Sequence, residues 1–191
     1  MNESTIFIGG SRHILRLPVE IEIRLDSIMK NGHRIIVGDA NGADKSMQKY
    51  LHDANYEKVT VFVSGSESRN NLGQWETRHI GIDQSSKNFN FYAAKDRAMA
   101  HEADFGLMVW DGKSPGTVLN VLRLIRLGKI SVLFHAPEKC TINIKMQSDW
   151  DKFLNQLGDE MVRDLRKRAT PEEWQPKKQS GLFEATCPDG N

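Results

Sequence analysis

Three short glycine-bearing clusters hold the residues whose types and spacing could do chemistry. The first is Gly9-Gly10-Ser11-Arg12. It lets a backbone approach a ligand closely and sets a hydroxyl and a guanidinium beside it, donors that suit a phosphate. The second is Gly38-Asp39-Ala40-Asn41-Gly42-Ala43-Asp44, whose carboxylates can hold a ribose hydroxyl or cap a helix. Asp39 is the ligand candidate there, whereas Asp44 stands where a first-turn carboxylate complements the helix dipole. The third runs from Trp110 through Asp111 and Gly112 to Ser114, Gly116 and Thr117. Asp111 can act on a sugar as acid, base or cation stabiliser, and Ser114, Gly116 and Thr117 form a phosphate cradle. Each cluster also has a plainer reading as a tight turn, a cap or a solvated arginine.

Weaker candidates lie between these turns. Lys95 and Met99 are one helical turn apart and can face a crevice together, although Lys95-Asp96-Arg97 also suits a solvated face. Trp75-Glu76-Thr77-Arg78 supplies a stacking surface and a carboxylate, and Glu76 reaches a ligand only if its long loop closes as a lid. Arg163, Arg166, Lys167 and Arg168 form a basic cluster of the kind that more often coats a solvated helix. The dinucleotide fingerprint is missing, because the later glycines of Gly-x-Gly-x-x-Gly are not there.

Composition narrows the partners. The 26 basic and 25 acidic residues give a net charge of +1, so no global field draws the chain to nucleic acid or membrane. No apolar stretch approaches the roughly 18 residues of a membrane span. The first residues, Met1 to Thr5, lack a basic flank and lead into a strand rather than a signal peptide. Cys140 and Cys187 stand far apart, and the six histidines form no His-x-x-x-His pair. The expectation is reduced thiols in the cytoplasm, with no metal and no cofactor.

The elements that must position the clusters follow from periodicity. Residues 5–8, 34–37, 58–63, 105–110 and 129–134 read as strands, and 19–30, 43–54, 91–103 and 117–127 as helices. Residues 64–90 are rich in Ser, Gly, Asn and Gln, a length of connection that is usually functional. Strand–helix alternation argues an α/β fold: a Rossmann-like, three-layer parallel sheet of at least five strands with helices on both faces. Ligands of such sheets sit beyond the carboxyl ends of the strands. Residues 1–136 form that core, and 137–170 an edge strand with a helical extension split at Gly158. Residues 171–191 lack periodicity and read as a tail.

Taken in order, Gly10-Ser11-Arg12, Gly38-x-Ala40-x-Gly42-Ala43-Asp44, Lys95-Asp96-x-x-Met99 and Trp110-Asp111-Gly112-x-Ser114-x-Gly116-Thr117 resemble the SLOG superfamily. That Rossmann-like group contains the LOG phosphoribohydrolases and DNA-processing protein A. The resemblance covers about residues 5–136 and is strongest to the small Gly-Ser-Arg branch. It implies a nucleotide or nucleotide-derived ligand, phosphate on the glycine turns and sugar near the sheet edge. LOG enzymes carry Pro-Gly-Gly-x-Gly-Thr-x-x-Glu, whose glutamate takes part in cleaving the base–ribose bond. The matching residue here is Asn120, an amide that cannot serve as that acid or base. Any hydrolysis then falls to Asp111, Asp39 or Glu76, with Asn120 kept as a ligand contact.

The function expected is thus binding of a nucleotide-like small molecule, as an N-glycosidic hydrolase or as a sensor. A nucleic-acid module of the DNA-processing kind is the alternative, against which the neutral charge argues. A nucleoside deoxyribosyltransferase-like enzyme is a third reading, and it would need a nucleophilic glutamate. A homo-oligomer is compatible with all of them.

Overall fold

A computed structural model describes residues 3–81 and 89–175, with the side chains of 89–91 outside the description. One seven-stranded sheet runs in the order β4-β3-β2-β1-β5-β6-β7. Its first three strands are β1 (Thr5–Gly10), β2 (Arg34–Gly38) and β3 (Val59–Ser64). They are joined by the helices α1 (Val19–Lys30) and α2 (Ala43–Asp53). The chain then forms β4 (Glu76–Ile80) at one edge and returns through α3 (Phe89–Glu102) to β5 (Phe105–Trp110), on the far side of β1. α4 (Pro115–Arg126) leads to β6 (Ile130–His135).

β1 to β6 are mutually parallel, and β7 (Cys140–Ile144) closes the other edge antiparallel to β6. The α/β, Rossmann-like architecture is therefore as expected. The buried runs Phe7–Ile8, Ile35–Val37 and Val61–Val63 explain the parallel centre, since strands covered on both faces are apolar throughout.

Ile21 and Leu25 of α1 and Met47 and Leu51 of α2 pack with Ile6, Ile8 and Val37 on one face. Phe7, Met99, Met108 and the apolar side of α4 form the core of the other. Residues 117–125 of α4 are all buried, because the helix lies between the sheet and a third layer. That layer comprises α5 (Gln147–Leu154), α6 (Asp159–Arg168) and α7 (Pro171–Trp174).

Two segments depart from the sequence reading. Glu76–Ile80, inside the supposed long loop, is a strand; as a half-exposed edge it carries no continuous apolar run. Pro171–Trp174, placed in the tail, is a helical turn capped by Thr170, whose hydroxyl accepts from the Glu173 N–H. Cys187 and the rest of the expected tail from residue 176 lie outside the described residues. No described helix is long and apolar enough to cross a membrane.

Candidate functional site

The sheet order reverses between β1 and β5, and in open α/β sheets the crevice at such a switch point is where ligands sit. A cavity of about 520 Å³ lies there, roofed by α3, a volume suited to a small molecule. Gly9, Arg12 and His13 reach it from the β1 end, and Ala40 and Asp44 from the β2–α2 connection. Tyr92, Lys95, Asp96 and Met99 of α3 line one side; Ser114, Gly116 and Asn120 line another.

The start of α4 opens on this cavity. Ser114 is its N-cap, yet no side chain caps it, and Pro115 fills the first position where an N–H would otherwise be orphaned. The N–H groups that follow and the positive dipole end face the cavity at Gly116, where a Cβ would meet nothing within 4 Å. Thr117 is buried just behind, and its hydroxyl has no hydrogen-bond partner among the described residues. An orphaned buried hydroxyl is costly. One turn on, Asn120 accepts from Arg123 Nη1 at 2.7 Å through Oδ1.

Asp111 does not line this cavity. Its carboxylate accepts from the N–H groups of Lys113 at 3.0 Å and Ser114 at 2.7 Å, and from the Ser11 hydroxyl at 2.8 Å. It also meets His13 Nδ1 at 2.9 Å. Partial burial opposes its ionisation, but the hydrogen bonds from His13, Ser11 and the two N–H groups outweigh it and hold the carboxyl far below its usual range. Such a group ties the first turn to the third and is a poor proton donor. Of the roles expected for Asp111, acid, base or cation stabiliser, these bonds disfavour that of acid, and the residue stands outside the cavity lining.

Asp39 is similarly engaged. Arg69 donates to it from Nη2 at 2.5 Å and Nε at 2.9 Å, and its backbone N–H adds a third bond at 3.2 Å. Burial opposes the charge of Asp39, and Arg69 and Lys95 overcome that opposition and lower its pKa. Glu76 is at the wrong end. It pairs in register with Thr60 near the start of β3, and in a parallel sheet that is opposite the carboxyl-end crevice.

Two acids do face the cavity, Asp96 and the more deeply covered Asp44, read from sequence as a dipole-complementing residue. Burial raises the pKa of Asp44 to about 6, against the pull of Lys95 and with the help of Asp96. Lys95 is itself buried, which disfavours its charge, but Asp96, Asp44 and Asp39 together keep it protonated. A Cβ on Gly38 would stand 2.5 Å from both Asp44 Oδ2 and Lys95 Nζ, so the glycine makes room for this pair. A carboxyl that titrates near neutrality beside a fixed cation can hold or release a proton. Sequence gave no signal for Asp44 in this role, since a helix N-terminal aspartate is the same string whether capped, solvated or covered from afar.

The other expected ligand contacts divide. Gly9, Arg12, Lys95, Met99, Ser114, Gly116 and Asn120 line the cavity. Gly10 and Gly42 serve turn-to-turn packing instead: a Cβ on Gly10 would strike the Val109 carbonyl, and one on Gly42 the backbone of Arg12. Gly42 also has φ +81°, a conformation an L side chain resists. Ser11 is spent on Asp111, and Asn41 is exposed and accepts from Asn70 at 3.1 Å. Trp110 fixes the third turn by donating from Nε1 to the Ser114 carbonyl at 3.1 Å. Gly112 lies in that turn, outside the cavity. His13, Tyr92, Asp96 and Arg168 line the cavity without having been singled out as ligand contacts.

No protein-family model matches the chain, and no curated protein matches it. Among solved structures it is similar to DNA processing protein A from Helicobacter pylori. The identity is 15%, the TM-score is 0.54, and the match covers 87% of this chain and 82% of that one. The shared feature is the Rossmann-like fold. That neighbour's structure was described for its unique mode of binding single-stranded DNA.

Proposed function

We propose that this protein binds a nucleotide-derived small molecule in the β1–β5 crevice, with a phosphate seated on the start of α4. The observation that carries this is the uncapped helix start beside the orphaned Thr117 hydroxyl. The N–H groups at 116–118 and the Asn120 amide supply donors. Arg12 adds a cation at the rim, with Tyr92 beneath it at 5.5 Å as an aromatic surface. The four motifs that resemble the Gly-Ser-Arg branch of the SLOG superfamily agree with such a ligand. In a thermal-shift panel of nucleoside mono- and diphosphates, at least one is expected to raise the melting temperature, and Arg12→Ala to reduce the effect. A hundredfold excess over Kd corresponds to about 2.7 kcal/mol of added stability. A panel that moves nothing at millimolar concentration contradicts the reading.

Asp44 favours a second reading, cleavage of the N-glycosidic bond. That reaction develops positive charge on the sugar, which a neighbouring carboxylate stabilises, while a group titrating near neutrality activates water or protonates the leaving base. Asp44 supplies the group that titrates near neutrality, and Asp96 a second carboxylate in the same cavity lining. Release of free base, followed by chromatography and lost in Asp44→Asn, tests it; bound nucleotide that stays intact leaves a sensor.

A nucleic-acid role draws support from the likeness to a protein described as binding single-stranded DNA. The small-molecule reading is preferred for two reasons: the crevice holds a cavity of about 520 Å³, the size of a small ligand, and the net charge is only +1.

A further inference from the structure

The β6–β7 hairpin brings together three side chains that the sequence reading left out of any site. His135 ends β6, Cys140 begins β7, and the two are direct cross-strand partners. Cross-strand partners project from the same face of a sheet. Glu138, in the four-residue connection, turns back over them: its Oε2 lies 3.3 Å from His135 Nδ1 and 3.8 Å from Cys140 Sγ. An imidazole nitrogen, a carboxylate oxygen and a thiol sulfur thus lie within 4.8 Å of one another. The connection holds this arrangement with Lys139 at φ +50°, a conformation that a lysine adopts at a cost.

The geometry points to a binding site for one borderline divalent transition-metal ion of the zinc class. The ligands are His135 Nδ1, the Glu138 carboxylate and the Cys140 thiolate. Bond lengths of about 2.0–2.1 Å to nitrogen and oxygen and about 2.3 Å to sulfur place tetrahedral ligand atoms roughly 3.3–3.6 Å apart. The two separations to Glu138 are already close to that, and the flexible, exposed glutamate can adjust. A sulfur–nitrogen–oxygen donor set selects zinc-like ions over magnesium or calcium, which take oxygen alone. Binding exchanges the thiol proton for a sulfur–metal bond, so one proton leaves Cys140 per ion bound.

The imidazole is held for this task. Its ring packs on Trp110 at 4.8 Å between centroids, tilted 30°. On its other nitrogen, Nε2, there is room only because residue 112 is glycine: a Cβ there would stand 2.8 Å away. An ion on Nδ1 would therefore pin the end of β7 and, through His135, the Asp111–Gly112 turn beneath the crevice.

Cobalt(II) titration of the full chain, followed by absorption, tests this. Expected is one ion per chain with a thiolate-to-cobalt charge-transfer band, displaced by zinc. Removing a mere second-layer partner of a metal ligand costs about 10–100-fold in affinity, so His135→Asn should weaken binding by at least about a hundredfold. Cys140→Ser should abolish the band, and Cys187→Ser should leave it intact. Glu138→Gln, at a residue 70% exposed, should leave the fold intact and weaken binding by about tenfold or more. Absence of the band in the wild type overturns the proposal, as does its survival in Cys140→Ser or its loss in Cys187→Ser. Equal affinity in Glu138→Gln removes the glutamate from the site.

Discussion

Arg123 donates from Nη1 to Oδ1 of Asn120 across one turn of α4, at 2.7 Å. A guanidinium cannot accept, so this bond fixes the amide and leaves its NH₂ as the donor available to the cavity. An acid in this place would instead pair with Arg123. Asn120→Asp is therefore expected to fold with little change in melting temperature and to lose phosphate-bearing ligands by at least about tenfold, as a donor becomes a charge repelling the anion. Calorimetric titration of the variant checks this; undiminished affinity would remove Asn120 from the site.

Thr117→Val is nearly isosteric and removes a hydroxyl that finds no partner among the described residues. The ligand-free variant should be as stable as wild type or up to about 1 kcal/mol more stable, because a buried unsatisfied group is costly. Its ligand-induced thermal shift should shrink. Loss of stability without ligand would mean that the hydroxyl is already satisfied.

Asp44 makes folding pH-dependent in a defined direction. Its pKa rises from 3.8 to about 6 on burial, so the folded state favours the protonated acid. Its stabilising contribution is full below about pH 4 and is lost as pH rises through about 6. Asp44→Asn should match wild type near pH 4 and exceed it at pH 7.5, by at most about 3 kcal/mol. Urea unfolding at the two pH values measures the difference. No gain at pH 7.5 would show that Lys95 fully offsets the buried charge.

The opposite sign holds at Glu173. Burial opposes its charge, but Arg97 and Arg123 hold its pKa down to about 2. Its contribution is present above about pH 4.5 and is lost as pH falls toward 2. Its Oε1 accepts from Arg97 Nε and Arg123 Nε, both at 2.7 Å, and so docks α7 on α3 and α4. Glu173→Ala leaves the Arg123 guanidinium buried and unpaired by that partner, which should cost about 3–5 kcal/mol at neutral pH. Faster proteolysis within residues 169–175 would accompany the loss.

The sheet was legible wherever its strands are buried on both faces, because Ile6–Ile8, Ile35–Val37 and Phe105–Trp110 are apolar without alternation. The strand Glu76–Ile80 was not, since its polar residues are half-exposed at an edge. The third turn was legible as a strand-to-helix turn at the crevice, but the surroundings of its aspartate were not. Whether Asp111 faces a ligand or is saturated depends on Ser11 and His13, about a hundred residues away. Asp44 was hidden for the same reason: its altered acidity comes from being covered by Lys95 and Asp96, and no local spacing records that.

The central claim is that a phosphate-bearing ligand sits on the first turn of α4. The most direct measurement is a backbone amide NMR titration of the protein with nucleoside mono- and diphosphates. For at least one of them, the account predicts the largest shifts at Gly116, Thr117 and Val118. Smaller shifts should follow at Gly9 to Arg12, and all should be weakened in Thr117→Val. Shifts confined to the basic residues 163–168, or none at these amides with any nucleotide, would contradict it.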